Sequence, residues 1–230
     1  LLAYDACLRG LGKLEADRAL LLAGISHDLR TPLSRLRLEL EMAQLPEASR
    51  AAMVGDIEQM DAIVRQFLDY ARTAPQALAA EVDLSAAVTT AVQRARIDAE
   101  PDSSVHLHIA PDVRIRGFAT EIDRALDNLL TNAVRYGRDS ETGQLHVTVS
   151  LTANAAHATV AVIDRGSGVF VAEIDRLLRP FERGECARSG STGAGLGLPI
   201  VDRIARMHAG SLRLLPNSPR GLRAEMTITR

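Results

Sequence analysis

The sequence contains few residues of several types, and each scarcity excludes a class of protein. Of its 230 residues, 2 are cysteine, 4 phenylalanine and 3 tyrosine, and tryptophan is absent. Cys7 and Cys186 are far apart and outside any cluster of ligands, which excludes a disulfide framework and a thiolate zinc site and indicates a reducing compartment. No apolar run is long enough to span a bilayer, and no signal-peptide pattern is present.

An excess of charge of one sign is missing as well. The 27 basic and 29 acidic residues give a net charge of −2, and the basic residues are scattered, so nothing indicates a nucleic-acid surface. The length suits one large or two modest domains. Because the chain begins at Leu1 within a helical pattern and without Met, we expect a portion of a longer protein, with a membrane segment outside it.

An amphipathic helix is predicted from Leu14 to about Gln44, and it carries the most informative motif. His27 lies about 200° around the helix from the apolar residues two positions before and after it, so it faces away from the packing stripe. Asp28 is its neighbour and Thr31 follows one turn later. Pro32 removes the N–H that would bond the Asp28 carbonyl, so the helix is expected to loosen there. This arrangement favours chemistry, although a lone helical histidine is more often a plain surface residue.

A second helical run is predicted from Glu47 to about Thr73, after a turn at Leu45–Pro46. Its apolar residues alternate in steps of four and three, and two such helices joined tightly form a hairpin. One hairpin cannot cover both stripes, so we expect a homodimeric four-helix bundle, with a monomeric hairpin docked on the next domain as the alternative. The periodicity breaks near Pro75, which predicts a hairpin domain over 1–74 and a second domain over 75–230.

Helical and extended segments alternate from Val82 onward. Short gaps at Pro111–Asp112 and Asn154–Ala155 predict strands in a mixed or antiparallel sheet with helices on one face. Residues 170–192 form a polar stretch too long for a plain connection, which we expect to be a lid or binding loop. The predicted helices cover 84–99, 120–135 and 197–208, and the predicted strands cover 105–109, 113–117, 145–151, 158–163, 212–215 and 224–228.

Polar residues recur on one face of the helix predicted over 120–135. Asn128 and Asn132 stand one turn apart, and Arg135 and Tyr136 continue the same face. Two carboxamides can supply oxygen ligands to a hard divalent cation, and the Arg and Tyr can meet a phosphate and a base. The alternative is an ordinary solvated face.

Two glycine-containing motifs follow later in the chain. Asp164 ends a strand and precedes Gly166 and Gly168. Its carboxylate can accept a hydrogen bond from an exocyclic amine, and the two glycines let a planar ligand approach the backbone closely. The alternative is an ordinary turn. A glycine-rich loop then opens into a helix, and its free N–H groups predict a phosphate cradle, with a flexible hinge as the alternative. The cradle residues are Thr192, Gly193, Ala194, Gly195, Leu196, Gly197 and Leu198.

In this order the motifs resemble those of the sensor histidine kinases of bacterial two-component systems. The resemblance runs from about Leu14 to the end of the chain, and it is greatest to the EnvZ/RisS-like group. The matching segments are GISHDLRTPLSRLRLE for the phosphoacceptor box, DNLLTNAVRYG for the asparagine box, VIDRGSGV and GSTGAGLGLPIV for the two glycine boxes, and RPFERG for the phenylalanine box.

The resemblance implies a dimeric helical-hairpin bundle followed by a Bergerat-type α/β sandwich, the ATP-binding fold of gyrase, Hsp90 and histidine kinases. It implies ATP and Mg²⁺ as cofactors, a homodimer, and a response-regulator receiver domain as partner. It also implies the cytoplasmic portion of a bacterial inner-membrane receptor, in which residues 1–13 end a HAMP-like linker.

The resemblance also assigns roles by position. His27 would be the phosphoacceptor, Asp28 would orient or deprotonate its ring, and Thr31 would position the water that dephosphorylates the regulator. The implied ATP-site roles are Asn128 and Asn132 for Mg²⁺ and phosphates, Arg135 for phosphates, Tyr136 for adenine, Asp164 for the adenine amine, Gly166 and Gly168 for pocket shape, Phe181 and Arg183 for the lid, and Gly193, Gly195 and Gly197 for the triphosphate loop.

Two other functions stay open at this point. A degenerate kinase could dimerise, bind nucleotide and dock a partner without transferring phosphate, although His27, Asn128, Asn132 and Asp164 are all intact. A gyrase- or Hsp90-like ATPase would share the sandwich but has no reason to carry the hairpin.

Overall fold

The computed structural model describes residues 29, 31–43, 45–71, 79–97, 102–182, 184 and 194–230. The chain divides into two compact units whose main boundary lies between Pro75 and Gln76. Among the helices of the described part, none combines the length and apolar character needed to cross a membrane.

The first unit contains two helices joined by a short turn. Helix α1 covers residues 31–42 and helix α2 covers Glu47–Ala71. The two helices are linked by an ion pair between Arg37 Nη1 and Glu58 Oε1, 3.4 Å apart. The predicted helical hairpin is therefore confirmed, while the segment before residue 29, with His27 and Asp28, lies outside the described residues.

The second unit contains two sheets. The strands are β1 (Ala80–Asp83), β2 (Ser103–Ile109), β3 (Arg114–Gly117), β4 (Leu145–Ala153), β5 (His157–Ile163), β6 (Ser211–Pro216) and β7 (Leu222–Thr229). Five of them form one sheet in the order β2-β4-β5-β7-β6, in which β2 runs parallel to β4 and the other pairs are antiparallel. Strands β1 and β3 form a separate antiparallel pair.

Helices cover one face of the five-stranded sheet. They are α3 (Leu84–Ala95), α4 (Ala119–Tyr136) and α6 (Gly197–Met207), and a 3-10 turn (Val171–Glu173) leads into the short helix α5 (Ile174–Leu177). Alternate residues of β4, from Leu145 to Leu151, are buried, as expected for a strand with one face on the core. The predicted mixed sheet with helices on one face is confirmed, and the core lies between these two layers.

One expectation about the sheet is wrong. The short gap at Pro111–Asp112 does not join two strands of one sheet, because β2 and β3 lie in different sheets. The hydroxyl of Ser85, in the first turn of α3, donates to the Ala110 carbonyl (2.8 Å) and accepts from the Val113 N–H (3.0 Å). The connection between β2 and β3 is therefore held against α3, and β3 pairs with β1.

One predicted helix boundary and the predicted lid also need correction. The helix predicted over 84–99 ends at Ala95, because Arg96 adopts a left-handed conformation (φ 48°) and donates its N–H to the Gln93 carbonyl. The polar stretch predicted as a lid over 170–192 begins with the 3-10 turn and α5 rather than with loop.

Candidate functional site

A buried carboxylate marks the end of β5. Asp164 is 7% exposed, and its Oδ1 accepts hydrogen bonds from the N–H groups of Gly166 (2.9 Å) and Leu222 (3.1 Å). No donor within the described ranges reaches its Oδ2. Burial raises the pKa of Asp164, because desolvation disfavours the charged form, and the two N–H donors act in the opposite direction without outweighing it.

Backbone, rather than side chains, packs around this carboxylate. A Cβ on Gly137, which follows α4, would lie 2.7 Å from Asp164 Cβ. A Cβ on Gly166 would collide with the carbonyl oxygen of Tyr136. Glycine is therefore required at both positions, and the end of α4 lies directly against the segment that follows β5. The role of Gly166 in shaping a ligand pocket stays a prediction.

Helix α4 presents two carboxamides to the start of α6. Asn128 donates its Nδ2–H to the Arg124 carbonyl (2.8 Å), which leaves its Oδ1 as an acceptor. A Cβ on Gly197, the first residue of α6, would lie 3.2 Å from that Oδ1 and 3.4 Å from both amide atoms of Asn132. The structure thus brings Asn128, Asn132 and Gly197 together, and the cation and phosphate site that the sequence predicts for them stays a prediction.

Among the described residues, no side chain caps the N-terminus of α6. Leu196 is fully buried at the cap position, no acidic side chain lies in the first turn, and the N–H groups of Gly197 and Leu198 point out of the helix end. Pro199 has no N–H to contribute. A helix N-terminus with uncapped donors attracts an anion through both its N–H groups and its dipole.

The described part of the predicted lid joins the glycine loop directly. Phe181 donates its backbone N–H to the Gly195 carbonyl (3.1 Å) and is 59% exposed. Gly195 has φ +69°, and a Cβ there would lie 2.7 Å from the Glu182 carbonyl oxygen, so glycine is required. Ala194 is half-buried, whereas Arg183, Thr192 and Gly193 lie outside the described residues.

The remaining predicted residues connect or flank these groups. Tyr136 is half-buried one turn after Asn132, so α4 links the carboxylate group to the carboxamide group, and Arg135 on this turn is exposed. Gly168 has φ +74°, and a Cβ there would lie 2.9 Å from the Gly221 carbonyl oxygen. Thr31 belongs to the first unit, where it is helical and exposed.

Sequence reasoning missed the turn between β6 and β7. Leu222 donates to Asp164 Oδ1, and Asn217 donates its Nδ2–H to the Asp164 carbonyl (2.8 Å). The only sequence signal is the turn-forming segment 217–221, NSPRG, and such a segment predicts a turn without naming what it contacts.

Two family matches agree with this arrangement. The His Kinase A (phospho-acceptor) domain family, HisKA, matches residues 17–76, and the HATPase_c family of histidine kinase-, DNA gyrase B- and HSP90-like ATPases matches residues 117–230. The first match contains the predicted phosphoacceptor, and the second contains Asn128, Asn132 and Asp164. The chain belongs to the sensor histidine kinases. The family and fold predicted from the sequence are confirmed.

Two curated bacterial proteins are similar to this chain over most of its length. Sensor protein RstB of Escherichia coli (strain K12) is 35% identical over 223 residues, which are 91% of this chain and 48% of RstB. The histidine-protein kinase/phosphatase MprB of a Mycobacterium species (strain KMS) is 31% identical over 236 residues, covering 95% of this chain and 44% of MprB. The chain thus spans about half the length of these curated relatives.

Two solved structures share the fold. The ATP-binding domain of PrrB from Mycobacterium tuberculosis is 26% identical with a TM-score of 0.53, covering 66% of this chain and 96% of that domain. Full-length ShkA, solved in complex with AMPPNP, has a TM-score of 0.71 at 22% identity and covers 92% of this chain and 46% of ShkA.

Proposed function

We propose that this chain is the cytoplasmic catalytic portion of a membrane-anchored sensor kinase. It binds ATP, transfers the γ-phosphoryl group to His27, passes it to an aspartate of a response regulator, and dephosphorylates that regulator. The observation that carries the proposal is the buried Asp164 carboxylate, which has one oxygen held by two N–H groups and the other without a described donor. Relatives named as kinase/phosphatase support both activities.

Asp164 suits adenine as its ligand. The second carboxylate oxygen can accept a hydrogen bond from an exocyclic amine. The close contacts of Gly137 and Gly166 pack the end of α4 directly beside the carboxylate. Tyr136, at the end of α4, would contact the base, and Phe181 would cover the nucleotide from the lid together with Arg183.

The phosphates would lie at the start of α6. Its uncapped N–H groups, with those of the glycine loop, favour the negative charge of a triphosphate, and Arg135 adds a positive charge at the end of α4. The donor set of Asn128 and Asn132 fits Mg²⁺, since amide oxygens are ligands that hard cations accept and both carboxamides face Gly197. When bound there, Mg²⁺ neutralises charge on the transferring phosphates.

His27 supplies the nucleophile. A neutral ring nitrogen forms a bond to the γ-phosphorus while the bond from that phosphorus to the bridging oxygen breaks, and ADP leaves. Asp28 orients the ring or accepts its proton. Thr31, one helical turn later, positions the water that hydrolyses the aspartyl phosphate of the regulator.

The hairpin would function as a homodimer. Leu36, Met53 and Met60 are 47–51% exposed in the single chain, although they belong to the apolar stripes of α1 and α2. A second hairpin would cover these stripes in a four-helix bundle, and the HisKA match supports this assembly. The bundle would also offer the response regulator the surface around His27.

Phosphorylation with γ-labelled ATP and Mg²⁺ tests the proposal. We expect an acid-labile, alkali-stable label on the wild-type chain and none on His27→Ala. His108→Ala, which removes an exposed histidine of β2, serves as the matched control and should be labelled fully. Full labelling of His27→Ala would contradict the proposal. ATP turnover without a phosphoenzyme would favour an ATPase, and nucleotide binding without label would favour a scaffold.

Thr31→Ala separates the two activities. This variant should keep the label on His27 while it loses at least tenfold in the rate of regulator dephosphorylation, because a hydroxyl that orients water is needed only in the second reaction. Equal loss of both reactions would assign Thr31 a structural role instead.

A further inference from the structure

The β6–β7 turn contacts Asp164 at three points. Asn217 Nδ2–H donates to the Asp164 carbonyl (2.8 Å), the Leu222 N–H donates to Asp164 Oδ1 (3.1 Å), and the Asp164 N–H donates to the Leu222 carbonyl (2.9 Å). One short segment thus holds the backbone N–H, the carbonyl and the carboxylate of a single residue. Asn217 is the only side chain of this segment, within the described residues, that donates to Asp164.

The turn is shaped to make this contact. Asn217 donates its own N–H to the Gly221 carbonyl (3.0 Å), which fixes the base of the turn. Gly221 has φ +121°, and a Cβ there would collide with the Asp164 carbonyl oxygen. A left-handed conformation and a side-chain-free approach are both properties of glycine, so the backbone of the turn packs directly on Asp164.

The Asn217 amide takes the place of a hydrogen bond between β5 and β7. Pairing of β5 with β7 ends at Ile163 and Arg223, so Asp164 is the first residue beyond the ladder. A carbonyl at that position has no strand partner, and the Asn217 Nδ2–H satisfies it instead. The Asn217 side chain therefore holds the Asp164 carbonyl, while Leu222 holds the N–H and one carboxylate oxygen, and the three bonds together orient the carboxylate.

We propose that Asn217 is a positioning residue that holds the Asp164 carboxylate where it can accept a hydrogen bond from the 6-amino group of adenine. The inference rests on the function proposed above, in which Asp164 accepts from that amine. Asn217 does not touch the nucleotide in this role. It sets how strongly the site prefers a purine that carries the amine over one that lacks it.

A matched control exists in the same sheet. Asn154, in the turn between β4 and β5, accepts hydrogen bonds at its Oδ1 from the N–H groups of Ala156 (2.9 Å) and His157 (2.8 Å). It is the same residue type in a strand-to-strand turn, and its side-chain bonds stay within that turn. Asn154→Ala therefore removes a comparable turn contact without touching Asp164.

The test compares equilibrium affinities of the full chain for ATP and for purine riboside triphosphate, in which hydrogen replaces the amine. Wild type should prefer ATP, and Asp164→Asn should abolish that preference. Asn217→Ala should reduce the preference for ATP about five- to tenfold, with affinity for the analogue nearly unchanged. The reason is that the hydrogen bond from Asn217 to the Asp164 carbonyl is lost and the carboxylate is no longer held toward the amine. Asn217→Asp, which keeps the shape but has no N–H to donate, should reduce it at least as much. Asn154→Ala should keep the wild-type preference.

Two outcomes distinguish a failure of the role of Asn217 from a failure of the proposed function. If wild type and Asp164→Asn share one affinity ratio, the adenine role of Asp164 fails and the role of Asn217 fails with it. If Asp164→Asn loses the preference while both Asn217 variants keep it in full, only the positioning role is overturned. A loss of preference in Asn154→Ala as large as in Asn217→Ala would also overturn it, because the effect would then be general loosening of the sheet.

Discussion

The helical hairpin and the α/β unit bury their apolar side chains to very different extents. Every one of the largest fully buried side chains among the described residues, from Leu84 to Met226, lies in the α/β unit. In the described part of the hairpin, only Ile57 and Leu68 are buried hydrophobics. The α/β unit therefore closes its own core, whereas the hairpin leaves apolar surface that a second chain can cover.

The difference shows what a periodic pattern does and does not encode. Helices α2 and α4 both carry an apolar stripe at helical spacing, and both were predicted from it. The stripe of α4 is buried by α3, α6 and the sheet of its own chain. Periodicity identifies the face that must be covered, and the fold of the rest of the chain decides what covers it.

The largest expected effect comes from a cavity in the α/β core. Leu126 of α4 is 1% exposed, so Leu126→Ala should lower the free energy of unfolding of this unit by about 3 kcal/mol. Leu36→Ala removes the same atoms from a side chain that is 48% exposed in the hairpin. Urea unfolding, followed by circular dichroism at two protein concentrations, compares the two variants.

The two losses should differ in their dependence on concentration. The Leu126→Ala midpoint should fall equally at both concentrations, because that core is formed within one chain. The Leu36→Ala effect should grow as the protein is diluted, since it acts through association. A concentration-independent loss in Leu36→Ala would show that the hairpin stripe is covered within one chain.

A charge placed on the hairpin stripe should have the next largest effect. Met60 is 51% exposed, and Met60→Lys would bury an unpaired ammonium group in the proposed dimer, weakening association at least tenfold. Ala51 is exposed and lies about 180° around α2 from Met60, so Ala51→Lys adds the same charge on the opposite face. Sedimentation velocity of both variants gives the comparison. Equal weakening by the two lysines would argue against the stripe as the interface.

A smaller effect is expected from the buried carboxylate at the proposed ATP site. In the folded state the pKa of Asp164 is raised above its ordinary value near 3.8. The folded protein therefore holds this proton more tightly than the unfolded chain. The free energy of unfolding falls as pH rises from 3.8 through the raised pKa, and the penalty persists at higher pH.

Asp164→Asn removes this titration while its amide oxygen can still accept from Gly166 and Leu222. The variant should be more stable than wild type at pH 7, and the difference should shrink as pH falls below the window. Its ATP affinity should fall at least tenfold, because an N–H₂ group faces the adenine amine. A pH series of urea midpoints checks the sign. A constant difference at all pH values would show that Asp164 does not titrate in this range.

The sequence predicted the elements of the site better than their mutual contacts. Asn128, Asn132 and Asp164 are predicted site residues because their residue types carry a chemical meaning at a helical or strand-end spacing. The pairing of α4 with α6 that brings the two carboxamides to Gly197 depends on packing between segments far apart in the chain.

The missed features share a physical cause. Gly137, Gly221 and Asn217 all contact Asp164, which is distant from each of them in sequence, and a local pattern contains no information on such contacts. The error in placing β2 and β3 in one sheet has the same origin, because Ser85 of α3 holds the connection between them. Short gaps between strands predict a turn, whereas pairing is decided by tertiary hydrogen bonds.

The smallest expected effects come from ion pairs that cross helices in each unit. Arg37–Glu58 joins α1 to α2 with side chains 51% and 58% exposed, and Arg94–Asp127 joins α3 to α4 at 2.7 Å with side chains 46% and 52% exposed. Glu58→Gln and Asp127→Asn should each cost about 0.5 kcal/mol in low salt and almost nothing in 1 M NaCl. The two ion pairs are similarly exposed. Equal losses of stability would therefore show that the two units differ in apolar burial and not in the strength of their ion pairs. A cost several times larger at Glu58, measured by urea unfolding in both salts, would instead make ion pairing a main source of hairpin stability.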